Sequence, residues 1–223
     1  MAQLTEGDIM KMNLISLCCL LLCSLTSVAQ TDKLAVHRTA KSMIHSPERP
    51  RSAGLKKIYS NLGPKANLYD DENGWAVSGP NSGGTHFFAL PFVPKTNATV
   101  EQIGAALQYN GRGANQVNIS IYSDNAGLPG TLLAGPTTVA NLPNAGTCCV
   151  LAVANFSPLA VTAGNTYWIV ADTPLSGMGS DFAGAWEWLG KPIYLQGYGD
   201  GTGWFGYDTT PAQAAAEVLG TVP

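Results

Sequence analysis

Residues 115–123 read NQVNISIYS, and this stretch decides the fold class of the chain. Its residues alternate between two chemical types: Val117, Ile119 and Ile121 are apolar, whereas Asn118, Ser120 and Tyr122 carry polar groups. A period of two places each set on its own face of a β-strand. We therefore predict a strand whose apolar face lies in a core and whose other face is either solvated or covered.

The same pattern continues from Trp75 to the C-terminus. Short apolar runs alternate with clusters of Gly, Pro, Asn and Asp, at intervals typical of a β-sandwich or barrel. Residues 166–172 read TYWIVAD, a nearly continuous apolar run that suits a central strand. Residues 124–130 read DNAGLPG, a strong turn signal. The predicted fold class is all-β.

The composition supports one turn-rich globular domain. Of 223 residues, 45% are hydrophobic and only 12% are charged, while glycine and proline contribute 25 and 14 residues. These values exclude a coiled coil, a charge-rich disordered chain and a polycationic nucleic-acid-binding protein. The length allows one domain with appendages.

The charge is distributed unevenly. Residues 30–65 contain eight basic and two acidic residues, a net charge of +6, whereas residues 66–223 contain three basic and eleven acidic ones, a net charge of −8. We predict a flexible basic linker or removable pro-segment over residues 30–66 and a β-sandwich domain over residues 67–223. Because an acidic domain repels phosphate backbones, we expect no nucleic-acid partner.

The first 29 residues have the features of a secretory signal peptide. An apolar run from Leu14 to Ala29 follows Lys11 and ends with Ser27 and Ala29, small residues that suit signal peptidase. The run has 16 residues, fewer than the roughly 20 that a transmembrane helix needs. We predict a secreted, extracellular protein that begins at Gln30 and has no stable membrane anchor, with an uncleaved anchor as the alternative.

Two cysteines remain after the predicted signal peptide, the adjacent pair Cys148 and Cys149. No metal-ligand spacing is present. Adjacent Cα atoms lie closer together than in ordinary disulfides, so a bond within the pair would be strained. Three alternatives stay open in an oxidising compartment: this vicinal disulfide, pairing with another chain, or a buried inert thiol.

Three segments carry a resemblance to a known family. They are ISIYSDNAGLPGTLLA at 119–134, NLPNAGTCCVL at 141–151 and VTAGNTYWIVADT at 161–173. Together they resemble the bacterial secreted β-sandwich domains described as choice-of-anchor domains, over residues 75–222. The resemblance implies a jelly-roll-like antiparallel sandwich in an exported protein. It implies no established activity and supplies no catalytic residues.

Signals for catalysis or metal binding are weak. His86 is the single histidine of the predicted domain, and no nucleophile elbow, phosphate loop or HExxH helix is present. Asp181 and Glu187 could catalyse glycoside hydrolysis only if both carboxyl groups flanked the same glycosidic bond. Residues 70–73 and 124–125 offer oxygen ligands suited to structural calcium, although turn formation explains them equally. We predict no catalytic residues, no metal site and no cofactor, with structural calcium as an open alternative.

The C-terminal third is rich in aromatic residues and permits two interpretations. In the first, Trp186, Trp188 and the following rings close the core. In the second, rings stay exposed as stacking platforms for a sugar, with carboxylates accepting hydrogen bonds from its hydroxyls. The predicted ligand-binding residues are Trp204, Tyr198, Tyr207, Tyr194, Asp200 and Asp208.

The predicted function follows from these features. We expect a non-catalytic module that binds carbohydrate or another extracellular surface, with a polysaccharide or cell-surface glycan as partner. The alternative is a structural or adhesion protein without a small ligand, and a glycoside-active enzyme is less favoured. Exposure of the aromatic rings would discriminate the first two, because a binding face needs accessible rings.

Overall fold

The computed structural model describes residues 35–37, 54–64, 68–189, 196–207 and 212–223. Ala35–Pro223 form one compact unit. The strands are β1 (Ala35–His37), β2 (Lys56–Ser60), β3 (Asp70–Ser78), β4 (Phe87–Phe92), β5 (Ala98–Ala105), β6 (Leu107–Arg112), β7 (Gln116–Asn125), β8 (Leu128–Ala140), β9 (Ala152–Val161), β10 (Tyr167–Asp172), β11 (Ala183–Leu189), β12 (Gln196–Gly199), β13 (Trp204–Tyr207), β14 (Gln213–Ala214) and β15 (Ala216–Thr221). A single 3-10 turn, Pro80–Ser82, is the one helical element among the described residues.

The strands form three sheets in which every pair is antiparallel. The first sheet has the order β1-β3-β11, with β6 and β14 both pairing with β11. The second has the order β13-β12-β4-β10-β7-β8. The third has the order β2-β15-β5-β9. The prediction of an all-β antiparallel sandwich is confirmed, while its jelly-roll connectivity stays a prediction.

The first and third sheets together form one layer of the sandwich. The chain passes from β5 to β6 through Ala106 and from β14 to β15 through Ala215, and the Ala106 N–H donates to the Ala215 carbonyl at 3.0 Å. The second sheet packs against both, since Trp75 stacks on Phe88 with ring centroids 5.1 Å apart and Tyr59 lies 5.8 Å from Phe92. The main core lies between these two layers.

The predicted strand at NQVNISIYS is β7, and its apolar face lies in this core. Val117, Ile119 and Ile121 are fully buried in β7, as their alternation predicts. The run at 166–172 forms β10, which pairs with β7 on one side and β4 on the other. Burial on both faces explains why its sequence is almost continuously apolar.

The predicted linker over residues 30–66 needs correction, because two strands lie within it. Residues 35–37 form β1 beside β3, and β2 pairs with β15 along residues 56–60. Asn61 continues this attachment: its side-chain amide donates to the Ala214 carbonyl and its oxygen accepts from the Ala216 N–H, both at 2.8 Å. The linker prediction is therefore wrong for residues 56–61, and the β-domain begins before residue 67. A five-residue edge strand is too short to show a period in a lysine-rich sequence.

The predicted signal peptide lies outside the described residues. Within the described ranges, no helix has the length and apolar character needed to cross a membrane.

The segment 141–151, which contains the two cysteines, covers the outward face of the first sheet. The Tyr69 hydroxyl lies 3.0 Å from the carbonyl oxygens of Thr147 and Val150 and accepts the Val150 N–H at 2.9 Å. Gln108 donates to the Thr147 carbonyl at 2.9 Å and accepts the Gly146 N–H at 2.8 Å. The sulfur atoms of Cys148 and Cys149 are bonded to each other, the first of the three alternatives that the sequence left open.

Tyr69→Phe is expected to lower the free energy of unfolding by about 1–2 kcal/mol, because it leaves buried backbone groups of the covering segment without their partner. Burial raises the pKa of Tyr69 to about 12, so the hydroxyl stays protonated throughout the accessible pH range. Urea unfolding measures the change. Tyr167→Phe is the matched control, since the Tyr167 hydroxyl makes one exposed bond, to the Thr162 N–H at 3.0 Å. Equal effects of both variants would contradict this role for Tyr69.

Candidate functional site

The second sheet curls so strongly that its distant strands come into contact. Trp204 on β13 and Tyr122 on β7 are separated by four strand spacings, which would be about 19 Å in a flat sheet. Their ring centroids are 6.5 Å apart. The face that carries both rings is therefore concave. We call this face the trough and define it by Asn118, Tyr122, Trp168, Asp172 and Trp204.

Two local features explain the curl. Gly197 on β12 has no side chain, and a Cβ there would lie 3.1 Å from both Ala89 and Pro129, so the glycine lets β8 approach β12 closely. The register between β7 and β8 shifts at three places along its length. Such bulges bend a strand and increase its twist. As a result, the edge strands β8 and β13 contact each other across the trough.

One end of the trough is filled by apolar side chains. Ala89, Trp168 and Val170 are fully buried there, and Tyr122 and Trp204 pack against them. The Trp168 indole N–H donates to the Asp124 carboxylate at 2.8 Å, which fixes the ring. This second, smaller core lies on the face of the second sheet opposite the main core.

The other end of the trough is polar. Asp172 on β10 and Asn118 on β7 are directly paired across the two strands. Thr138 donates its hydroxyl to the Asn118 side-chain oxygen at 2.9 Å, so the Asn118 amide nitrogen is free to donate to Asp172. Burial raises the pKa of Asp172 to about 6, and the hydrogen bond from Asn118 opposes this shift.

Tyr122 joins the two ends of the trough. Burial raises the pKa of its hydroxyl, and the negative charge of Asp172 raises it further. Tyr122 therefore shares an electrostatic environment with Asp172 while its ring packs beside Trp204. The arrangement combines aromatic rings, a carboxylate, an amide and a hydroxyl on one concave surface.

The structure separates the predicted ligand-binding residues rather than gathering them. Trp204 and Tyr198 occupy neighbouring register positions of the β12–β13 hairpin, where Tyr198 pairs with Phe205 and Trp204 with Gly199. Alternation along β13 puts Trp204 on the trough face and Phe205 on the opposite face, together with Tyr198. Trp204 belongs to a strand and is half-buried, whereas the stacking-platform interpretation expects an exposed ring.

The remaining predicted residues lie apart from the trough floor. Asp200 organises the turn between β12 and β13: it accepts from the hydroxyl and the N–H of Thr202 at 2.6 and 2.9 Å, and these bonds lower the pKa of its carboxyl. Tyr207 is the last residue of β13, where it pairs with Gln196. Tyr194 and Asp208 lie outside the described residues.

Tyr198 and Phe205 lie instead on a small aromatic ledge at the edge of the main core. Their ring centroids are 6.2 Å apart, and His86 lies 6.0 Å from Tyr198. Phe205 is 50% exposed. This ledge lies on the face of the second sheet opposite the trough.

The sequence interpretation missed Asp172, Asn118 and Trp168 as site residues. A signal was present for Asn118, because it shares the polar face of NQVNISIYS with Tyr122. Asp172 was interpreted only as the end of an apolar run. Its position opposite Asn118 depends on the pairing of β7 with β10, which the sequence does not specify.

His86 has a structural role. Ser78 donates its hydroxyl to the Gly84 carbonyl at 2.6 Å, so the Ser78 oxygen accepts from the His86 Nδ1 at 2.8 Å. The serine proton is thus directed away from the imidazole, unlike in a nucleophile and base pair. Burial also lowers the pKa of His86.

The carboxylate pair considered for glycoside hydrolysis is not accessible as a pair. Glu187 is fully buried in the first sheet, whereas Asp181 is exposed and accepts the Ala114 N–H at 3.0 Å. A sugar cannot reach both from one cleft.

The segments considered for calcium use their carboxylates to hold turns. Asp70 accepts from the Glu72 N–H and the Asn73 amide at 2.9 and 2.8 Å. Asp124 accepts from Trp168 and, at 3.2 Å, from the Gly127 N–H. Within the described ranges, no group of three or more His, Cys, Asp or Glu side chains is arranged to hold a metal ion.

Comparisons with known proteins leave the geometry as the basis for a functional assignment. No protein-family model, curated protein or solved structure matches the chain. The resemblance to choice-of-anchor domains therefore rests on the three sequence segments alone.

Proposed function

We propose that this chain is a secreted, non-catalytic sandwich module with jelly-roll-like connectivity, and that it binds carbohydrate in the trough. The observation that carries this proposal is the geometry of the trough, where the paired residues Asp172 and Asn118 share one concave face with the rings of Tyr122 and Trp204. Burial also raises the pKa of Asp172, and a carboxyl group with a raised pKa is typical of a functional site.

The chemistry of the trough suits a sugar. The apolar face of a pyranose ring packs on aromatic side chains, and its hydroxyls both donate and accept hydrogen bonds. Asp172 is an acceptor when ionised, Asn118 offers an amide, and the Tyr122 hydroxyl does both. Trp204 forms the wall at the filled end.

The predicted export of the protein favours a carbohydrate ligand over an intracellular one. The apolar segment ending at Ala29 has signal-peptide features, and the resemblance to exported sandwich domains agrees with it. A module outside the cell meets polysaccharides and cell-surface glycans first.

A structural or adhesion protein without a small ligand is the second candidate. The observation that favours it is the burial of the aromatic rings, since Trp168 and Trp186 are fully buried and Trp204 is half-buried. In that case the trough is a second core whose only task is to stabilise the sheet.

Leu132→Arg separates the two candidates. Leu132 is 42% exposed and pairs with Tyr122, so it lies at the edge of the trough, and a long side chain there should obstruct the trough without disturbing the fold. We expect this variant to lose retention in affinity electrophoresis through gels containing a soluble glucan or a de-N-acetylated aminoglycan. Val93→Arg is the control, because Val93 is 45% exposed in the loop after β4. Equal mobility of the wild type in gels with and without polysaccharide would favour the structural candidate.

A further inference from the structure

The second sheet, which forms the trough, carries carboxylates on its described strands. None of its six strands, as the structure describes them, contains Lys or Arg. Asp124 and Asp172 lie on the trough face, and Asp200 lies in the turn between β12 and β13. Basic residues in the described part of the domain lie elsewhere: Lys56, Lys57, Lys95 and Arg112. The charge on the described strands would therefore repel an acidic glycan from the trough.

Asp172 is the charge that a ligand would meet inside the trough. It is half-buried, and the group that donates to it, the Asn118 amide, is neutral. An ionic interaction is screened much less at a buried carboxylate than at an exposed one. A cation beside Asp172 would therefore contribute more to binding than the same cation beside Asp200.

We propose that the trough binds amino sugars, glycans that carry primary ammonium groups, in preference to neutral sugars, and that it rejects uronates and sulfated glycans. This inference rests on the proposed carbohydrate-binding function. The ammonium group lies against the Asp172 carboxylate, and the apolar face of the sugar ring packs against Trp204 and Tyr122. An amino sugar fits both ends of the trough, because its ammonium group suits the polar end and its ring suits the aromatic end.

The test compares tetrasaccharides of glucosamine, glucose and a uronic acid by isothermal titration calorimetry with the full chain at pH 6.5. We expect glucosamine tetrasaccharide to bind about tenfold or more tightly than the glucose one, because a hydrogen bond to a charged group is worth more than a neutral one. The uronic acid should show no binding. Asp172→Asn should reduce the glucosamine affinity to the glucose level. Glu101→Gln, which removes one charge from β5 in the third sheet, should retain the preference.

Each other outcome overturns a defined part of the argument. Equal wild-type affinity for glucosamine and glucose would overturn the amino-sugar inference and leave carbohydrate binding standing. Tetralysine bound as tightly as the glucosamine tetrasaccharide would show that charge alone is recognised and would also overturn it. A wild-type chain that binds none of the tetrasaccharides would remove the proposed function together with the inference.

Discussion

Asp172→Asn is expected to raise the free energy of unfolding by about 2–3 kcal/mol at pH 7. Burial raises the pKa of Asp172 from 3.8 to about 6 in the folded chain, and each pKa unit corresponds to about 1.4 kcal/mol. The asparagine keeps the size of the side chain and an oxygen acceptor for the Asn118 amide, but it carries no charge to desolvate. A single substitution on the proposed site should therefore stabilise the protein.

The direction in which the free energy of unfolding changes with pH tests this expectation. Below about pH 3, Asp172 is protonated in both the folded and the unfolded chain and makes no difference to stability. Between about pH 3 and 7 the unfolded chain loses its proton first, so the stability of the wild type falls as the pH rises. Above about pH 7 the cost is constant.

Urea unfolding at pH 4, 5, 6 and 7 measures this window. The stability gain of Asp172→Asn should be well below about 1 kcal/mol at pH 4 and should reach its full size by about pH 7. Glu101→Gln removes the same charge from β5, and its effect on the free energy of unfolding should not increase between pH 4 and pH 7. A loss of stability in the Asp172 variant at pH 7 would mean that the ionised carboxylate is satisfied in the fold, which removes the argument that it is kept for binding.

The sequence predicts the parts of this fold that depend on neighbouring residues. The alternation in NQVNISIYS identifies β7 and its buried face, and the apolar run at 166–172 identifies a strand covered on both sides. Both patterns are local, because the side chains of one strand alternate whatever its partners are. Residues 56–60 escape the same analysis, since five residues that begin with two lysines carry too little pattern.

The trough is different because it depends on which strands meet. The curl of the second sheet brings Trp204 to Tyr122, although 82 residues separate them in the chain. The β12–β13 register decides that Trp204 and Tyr198 face opposite ways, and a shift of one residue would reverse the two. The high density of aromatic residues predicts a role for these rings. It does not show which rings contact each other.

Trp204→Ala is expected to lower the free energy of unfolding by about 2–4 kcal/mol and to abolish glycan retention. The exposed-platform interpretation predicts a change within about 1 kcal/mol, as for an ordinary surface substitution. The half-buried ring instead packs against Ala89, Trp168 and Val170, and its removal opens a cavity over Gly199, where a Cβ would already lie 3.2 Å from the indole.

Phe205→Ala is the matched control for Trp204→Ala, because the two residues are adjacent on β13 and face opposite sides of the sheet. Phe205 is half-exposed on the ledge, so its removal should cost under about 1 kcal/mol and leave retention unchanged. Trp204→Phe distinguishes folding from binding, since it keeps an aromatic ring against the trough floor and should recover most of the stability. If Phe205→Ala abolishes retention while Trp204→Phe does not, the sugar lies on the ledge formed by Tyr198 and Phe205, and the trough is a second core.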